Sequence, residues 1–195
     1  MMNDIIRAAA IPSLDPLYVF ALESEAAGEF DDYPKLITGI GKVSAAYQLT
    51  KSIHTRRPGL IINLGSAGST RFKRGEVVCC NTFIQRDMDV TGLGFPKYET
   101  PLSGFGPVLQ YGLQLEGVQQ GICGTGDSFE MAHSVVEYDV LDMEAYPLAL
   151  IAKQENIPFL CLKYISDGAD GGAAEEWTIQ VHLAAAALRK TLSAL

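Results

Sequence analysis

Short apolar runs alternate along this chain with amphipathic stretches, and several runs end in glycine or a carboxylate. Leu17 to Leu22 (LYVFAL) follows Pro16 and reads as a buried strand. Lys35 to Thr38 is a second short strand; Leu60 to Leu64 (LIINL), Val77 to Phe83, Gln120 to Cys123 and Phe159 to Ile165 (FLCLKYI) are further candidates. Between them the period lengthens. From Lys42, KVSAAYQLTKSIHT sets Val43, Ala46, Tyr47 and Leu49 at helical spacing, until Pro58 and Gly59 end the element. Met143 to Asn156 is an apolar helix with Pro147 in its first turn, where a missing N–H costs little. A last helix from about Ala173 puts Trp177, Val181, Ala184, Leu188, Leu192 and Leu195 on one face. Thr91 to Gly117 holds no sustained period and is predicted to be loop with short strands.

Alternating buried strands and helices predict a single α/β domain over residues 1–195, with residues 1–15 as an N-terminal extension and a mostly parallel sheet. Ligands of such sheets collect beyond the carboxyl ends of the strands. ALESE, TGIGK, LGSAGS, GTGDSF and ISDGAD all follow strand candidates, which one shared pocket explains better than independent turns. Most place an acid in an apolar or glycine-rich setting. Burying an ionised carboxylate without partners costs several kcal/mol, roughly, so these groups need a partner, a shifted pKa or a ligand.

Composition narrows the classes. The 195 residues are enough for a core without staples, with 48% apolar and 19% charged content. A net charge of −8 without a basic patch argues against nucleic acid or an anionic membrane as partner. Cys79, Cys80, Cys123 and Cys161 match no zinc spacing, and neighbours Cys79 and Cys80 would face opposite sides of a strand. They read as buried free thiols of a cytoplasmic protein. His54, His133 and His182 are scattered, so no metal and no cofactor is expected. The opening MMNDIIRAAAIPSLDP has too short an apolar patch for a signal peptide or a membrane span.

In chain order, ALESE, TGIGKVSAA, IINLGSAGS, RDMDVTGLGF, GTGDSF, DMEA and ISDGAD resemble the nucleoside phosphorylase/nucleosidase superfamily, most of all its methylthioadenosine/S-adenosylhomocysteine nucleosidases. The matching pieces span Ala21 to Asp170. The resemblance implies a phosphorylase/hydrolase-like fold: a twisted mixed sheet with barrel character, flanked by helices. It also implies hydrolysis of the N-glycosidic bond of an adenine nucleoside, a small-molecule substrate and a homodimer. Breaking that bond builds positive charge on the ribose and negative charge on the base, so a general acid and a water-activating base are needed.

By this resemblance Asp167 is the acid that protonates purine N7, which requires its pKa to rise from the ordinary value of roughly 3.9. A protonated aspartate there also accepts from an exocyclic amine, which favours adenine. Glu25 matches the water-activating base, with Glu23 a competitor and Ser24 replacing an acidic residue of the family. Glu144 matches the acceptor for the ribose hydroxyls, with Met143 against the sugar; Asp142 stands where the relatives carry glutamate. Phe129 matches the aromatic that stacks on the base, and Glu130 offers its backbone. Ser66, Ala67 and Gly68 form a loop of small residues near the nucleoside, and Ser166 adjoins the acid. Ile40, Leu22, Leu93 and Phe95 are expected near the 5′ substituent, as are Val90 and Pro101. On the residues alone, each acid can also be a helix-terminal charge and each apolar residue can be core.

Two alternatives remain at this level. A phosphorylase needs a GDPxR segment and an arginine cage; the chain has no GDPxR, and Arg74 is one arginine near the expected place. A non-catalytic nucleoside binder would not need all three acids. The segment between Glu25 and Thr38 is too short for the hairpin of the relatives, and Phe95 to Gly121 lacks their helix, so the 5′ pocket and the subunit contact depart from the pattern.

Overall fold

The computed structural model describes residues 5–130, 136–169 and 173–193. In chain order the elements are β1 (Ile5–Ile6), β2 (Pro16–Phe20), α1 (Glu23–Ala26), β3 (Lys35–Ile37), α2 (Lys42–Thr55), β4 (Leu60–Gly68), β5 (Val77–Gln85), β6 (Leu109–Gln110), β7 (Gln114–Leu115), β8 (Gln120–Thr125), β9 (Val140–Asp142), α3 (Ala145–Gln154), β10 (Phe159–Asp167) and α4 (Ala173–Ser193). Single 3-10 segments lie at Ala8–Leu14 and Thr91–Leu93.

β4 pairs in parallel with β10, β10 antiparallel with β5, β5 in parallel with β8, β8 in parallel with β9, and β9 antiparallel with β4. That circuit closes a barrel of β4, β10, β5, β8 and β9. β2 and β3 extend it from β4 in parallel. The expected mixed, mostly parallel sheet with barrel character is therefore present.

The continuous apolar runs follow from burial on both strand faces. Ile61, Cys80, Cys161 and Phe159 pack in a cluster with α2 and α3, while Ile62, Cys79, Leu160 and Leu162 pack with Ala184 and Leu188 of α4. Cys79 and Cys80 do face opposite sides, and all four cysteines are buried and free. Phe83 and Phe159 meet edge to face at 5.8 Å with neither exposed beyond 1%; truncating either to alanine should cost about 3–5 kcal/mol.

Several boundaries differ from the sequence reading. The strand read as Leu60–Leu64 continues through Gly68, because β10 lies beside it in register to Asp167. GSAG is thus strand, and not the loop expected there. Helix α3 starts at Ala145, leaving Met143 and Glu144 ahead of it. On α2 the buried side is Ala45, Leu49 and Ile53; Val43 and Tyr47 are 80% and 63% exposed. Residues 5–14 pack into the body, with Ile6, Ala8 and Ile11 buried and β1 paired to β7. Leu195, His133 and Asp170 lie outside the described residues. Among the described residues no helix is long and apolar enough to cross a membrane.

Candidate active site

The carboxyl ends of β2, β4, β9 and β10 open onto one cavity of about 350 Å³. Glu25, Glu144 and Asp167 all reach its wall, from α1, from the residue preceding α3 and from the last position of β10. Each is nine-tenths or more buried, at 5%, 8% and 3% exposure.

Glu25 is fixed by four donors. Its Oε2 accepts from the N–H groups of Ala21 and Leu22 at 3.2 and 3.1 Å, a helix-start carboxylate folded back on the entering chain. Its Oε1 accepts from Ser66 N and Ser66 Oγ at 2.8 and 2.7 Å. The helix-terminal and the site readings of this acid therefore describe one geometry. Glu23 instead is exposed and pairs with Lys35 and does not line the cavity.

Asp167 accepts from Ser166 Oγ at 2.8 Å and from Ala169 N at 2.9 Å. β4 comes very close here: a Cβ on Gly68 would lie 2.7 Å from Asp167 Oδ1, so any side chain there must shift the carboxylate. Glu144 Oε1 accepts from Gly41 N at 2.9 Å, tying the acid to the start of α2. Gly41 has φ +93°, a conformation L side chains rarely adopt. Asp127 holds the same corner, accepting from Lys42 N at 2.7 Å.

A buried ion pair stands behind Glu144. Lys163 Nζ lies 2.8 Å from Asp142 Oδ2, and Asp142 also accepts from Thr125 Oγ1 at 2.6 Å and Ala145 N at 2.8 Å. Burial works against both charges, yet each partner holds the other ionised: Asp142 sits below the usual carboxylate range and Lys163 above the usual lysine range. Glu144 has no such partner. Burial first, and then the Asp142 charge, push its pKa up to about 8, against the pull of Lys163 and the Gly41 N–H. Among the described residues no group of His, Cys, Asp and Glu is arranged to hold a metal ion.

Leu22, Ile40, Ser66, Ala67, Gly68, Phe129 and Met143 also line the cavity. Phe129 and Ile40 stand at its open side, 47% and 55% exposed. Beside it a smaller recess is lined by Arg86, Ser128 and Glu130, and the two share Gly68, Phe129, Leu141, Asp142, Met143 and Asp167. The Glu130 carboxylate turns to Arg86 Nη1 at 3.2 Å. Other expected residues stand off the cavity wall. Ser166 Oγ donates to Asp167 Oδ2 at 2.8 Å, and Ser166, Leu93 and Phe95 are not among the residues that line the cavity. Arg74 is exposed and does not line the cavity either.

Three participants escaped the sequence reading. Trp177 appeared only as part of an apolar helix face, yet it lines the cavity. Lys163 was hidden in a strand run, where a lone lysine in FLCLKYI was itself the signal of a buried partner. Arg86 has a side chain only 5% exposed and donates to Ser128 Oγ at 2.9 Å, bracing the segment that carries Phe129.

A family model described as "Phosphorylase superfamily" matches residues 36–195. The chain belongs to the phosphorylase superfamily. Among superfamily members, a 5′-methylthioadenosine/S-adenosylhomocysteine nucleosidase of Haemophilus influenzae (strain PittEE) is 32% identical over 163 residues, 73% of this chain and 71% of the relative. The fold matches that of a futalosine hydrolase mutant of Helicobacter pylori strain 26695 with TM-score 0.81 at 17% identity, covering 91% of this chain and 96% of that one. It also matches a Helicobacter pylori MTAN mutant carrying 5′-methylthioadenosine in its active site, with TM-score 0.81 at 17% identity, covering 100% and 98%. These likenesses, at 17% identity, show the shared fold.

Proposed function

We propose that this chain hydrolyses the N-glycosidic bond of adenine nucleosides of the 5′-methylthioadenosine/S-adenosylhomocysteine type, releasing adenine. The observation that carries this reading is the meeting of Glu25, Glu144 and Asp167 on one cavity with an aromatic, Phe129, at its open side. The H. influenzae relative, a nucleosidase by name, supports the same reaction.

In this reading Asp167 donates a proton to the departing purine, and Phe129 stacks on the base. Glu25 takes a proton from the water that attacks the anomeric carbon. Glu144 receives the ribose hydroxyls, whose donation favours its ionised form and offsets the burial that otherwise keeps it protonated. The resulting carboxylate then faces the developing positive charge of the sugar. Among the described residues the main cavity is lined by no arginine or lysine that could form a phosphate cage, while the Glu25 carboxylate faces it and suits activation of water. That favours hydrolysis over phosphorolysis.

A homodimer and a cytoplasmic setting belong to the same proposal. Ile40, Val43 and Tyr47 leave apolar surface at the start of α2 beside the cavity, which a second copy would cover. Leu93 and Phe95, absent from the cavity of their own chain, would then serve the contact. The four free thiols suit a reducing compartment. The deciding experiment assays adenine release from nucleosides varied at the 5′ position, with and without phosphate. Release independent of phosphate, and strongest with an apolar 5′ group, supports the reading; release that requires phosphate refutes it.

A further inference from the structure

The indole of Trp177, on α4, lies at the cavity wall, and its Nε1 is 2.9 Å from Ser66 Oγ. An indole N–H can only donate, so the serine oxygen is the acceptor and its one hydrogen must point elsewhere. It points to Glu25 Oε1, 2.7 Å away. We propose that Trp177 is a positioning residue: by occupying the Ser66 oxygen it fixes that hydroxyl as a donor to Glu25 and so orients the water-activating carboxylate. The proposal rests on the nucleosidase reading and deepens it.

The geometry of Glu25 shows why one hydroxyl matters. Three of its four donors are backbone N–H groups, of Ala21, Leu22 and Ser66, whose directions the fold sets. The Ser66 hydroxyl is the one donor that can rotate. Left without the indole, it can swing its hydrogen toward water or bound nucleoside, and Oε1 then loses a fixed contact on the side that Ser66 shares with the cavity. A base must be held within a fraction of an ångström and some tens of degrees of its productive pose to act well. Trp177 supplies that constraint from a helix remote in sequence, so α4 and β4 jointly set the base.

Trp177→Phe keeps an aromatic ring at the wall but removes the N–H together with part of the indole's bulk. It should lower kcat about three- to tenfold, the usual effect of one oriented hydrogen bond, while KM stays within about twofold. Ser66→Ala breaks the same link without touching α4. In a Ser66→Ala background, Trp177→Phe should change kcat no further, because its route to Glu25 is already gone. Additive losses in the double variant overturn the proposal, and so does unchanged kcat in either single variant. Trp177 is the chain's one tryptophan, so its emission reports occupancy of the cavity directly. Wild-type protein titrated with a carbon-linked, non-hydrolysable analogue of 5′-methylthioadenosine should show a saturable emission change. If that change occurs and the kinetic coupling does not, the positioning role fails while the nucleosidase reading stands. If no emission change and no adenine release are seen, the nucleosidase reading fails and the proposal with it.

Discussion

Lys163 and Asp142 form an ion pair at 2.8 Å with side chains only 2% and 1% exposed, and Asp142 lines the cavity beside Glu144. Breaking such a pair leaves a charge buried without its partner, which costs more than the pair contributes when intact. Lys163→Met should therefore destabilise the fold by about 3–5 kcal/mol. Adding Asp142→Asn to that variant should recover part of the loss, because the orphaned charge is removed. Urea denaturation of the two variants beside wild type measures this, and equal midpoints for wild type and Lys163→Met would contradict the role assigned to the pair.

Glu144 should leave a mark on the pH dependence of stability. Its folded pKa of about 8 lies above the ordinary glutamate value of 4.5. Between those limits the folded chain keeps a proton that the unfolded chain releases, so stability from this group is full below pH 4.5 and declines as pH rises through about 8. Glu144→Gln should flatten that decline. Denaturation midpoints for the two proteins, compared from about pH 5 to about pH 9, test the sign. Parallel curves would show that Glu144 is not held protonated.

Gly68 leaves no room beside the acid. A methyl group there would lie 2.7 Å from Asp167 Oδ1 and 3.2 Å from the Ala169 Cβ, so Gly68→Ala must displace the Asp167 carboxylate or the segment behind it. Misplacing a catalytic group by about 1 Å can cost about a hundredfold, and a fall of that order in kcat is expected. Steady-state kinetics together with circular dichroism separate this from unfolding. Full activity in the variant would place the proton donor elsewhere.

Much of this site was legible in the chain because its acids stand where acids are costly. Glu25, Glu144 and Asp167 each adjoin an apolar run, and the structure draws all three to one cavity. The helices and main strands followed from apolar period and from the stop signals at Pro58 and Gly59. What period could not supply was partnership across the fold. Trp177 meets Ser66 across 111 positions, and Lys163 finds Asp142 only once β10 and β9 both join the barrel. β9 itself is three residues long, too short for any alternation to show. On α2 the helical spacing was legible, but not which stripe the fold buries. Val43 and Tyr47 share a helical stripe, but α3 packs on the adjacent one, with Ala45 and Leu49.

Asp167→Asn should cut adenine release by about a hundred- to ten-thousandfold, the range for loss of a general acid. The amide oxygen can still accept from Ala169 N, whose bond to Asp167 is 2.9 Å, so the thermal midpoint should hardly move. A variant that releases adenine near the wild-type rate would remove Asp167 from the chemistry.

The proposed action of the three cavity acids on a sugar–purine bond is tested most directly by the fate of oxygen. Wild-type protein is given 5′-methylthioadenosine in ¹⁸O-labelled water containing unlabelled phosphate, and the quenched products are read by mass spectrometry. Water attack should give free adenine and a methylthioribose with one ¹⁸O at the anomeric carbon, and Glu25→Gln should abolish that product. A sugar 1-phosphate without label, or no cleavage across the 5′-substituted adenine nucleosides, would contradict the account.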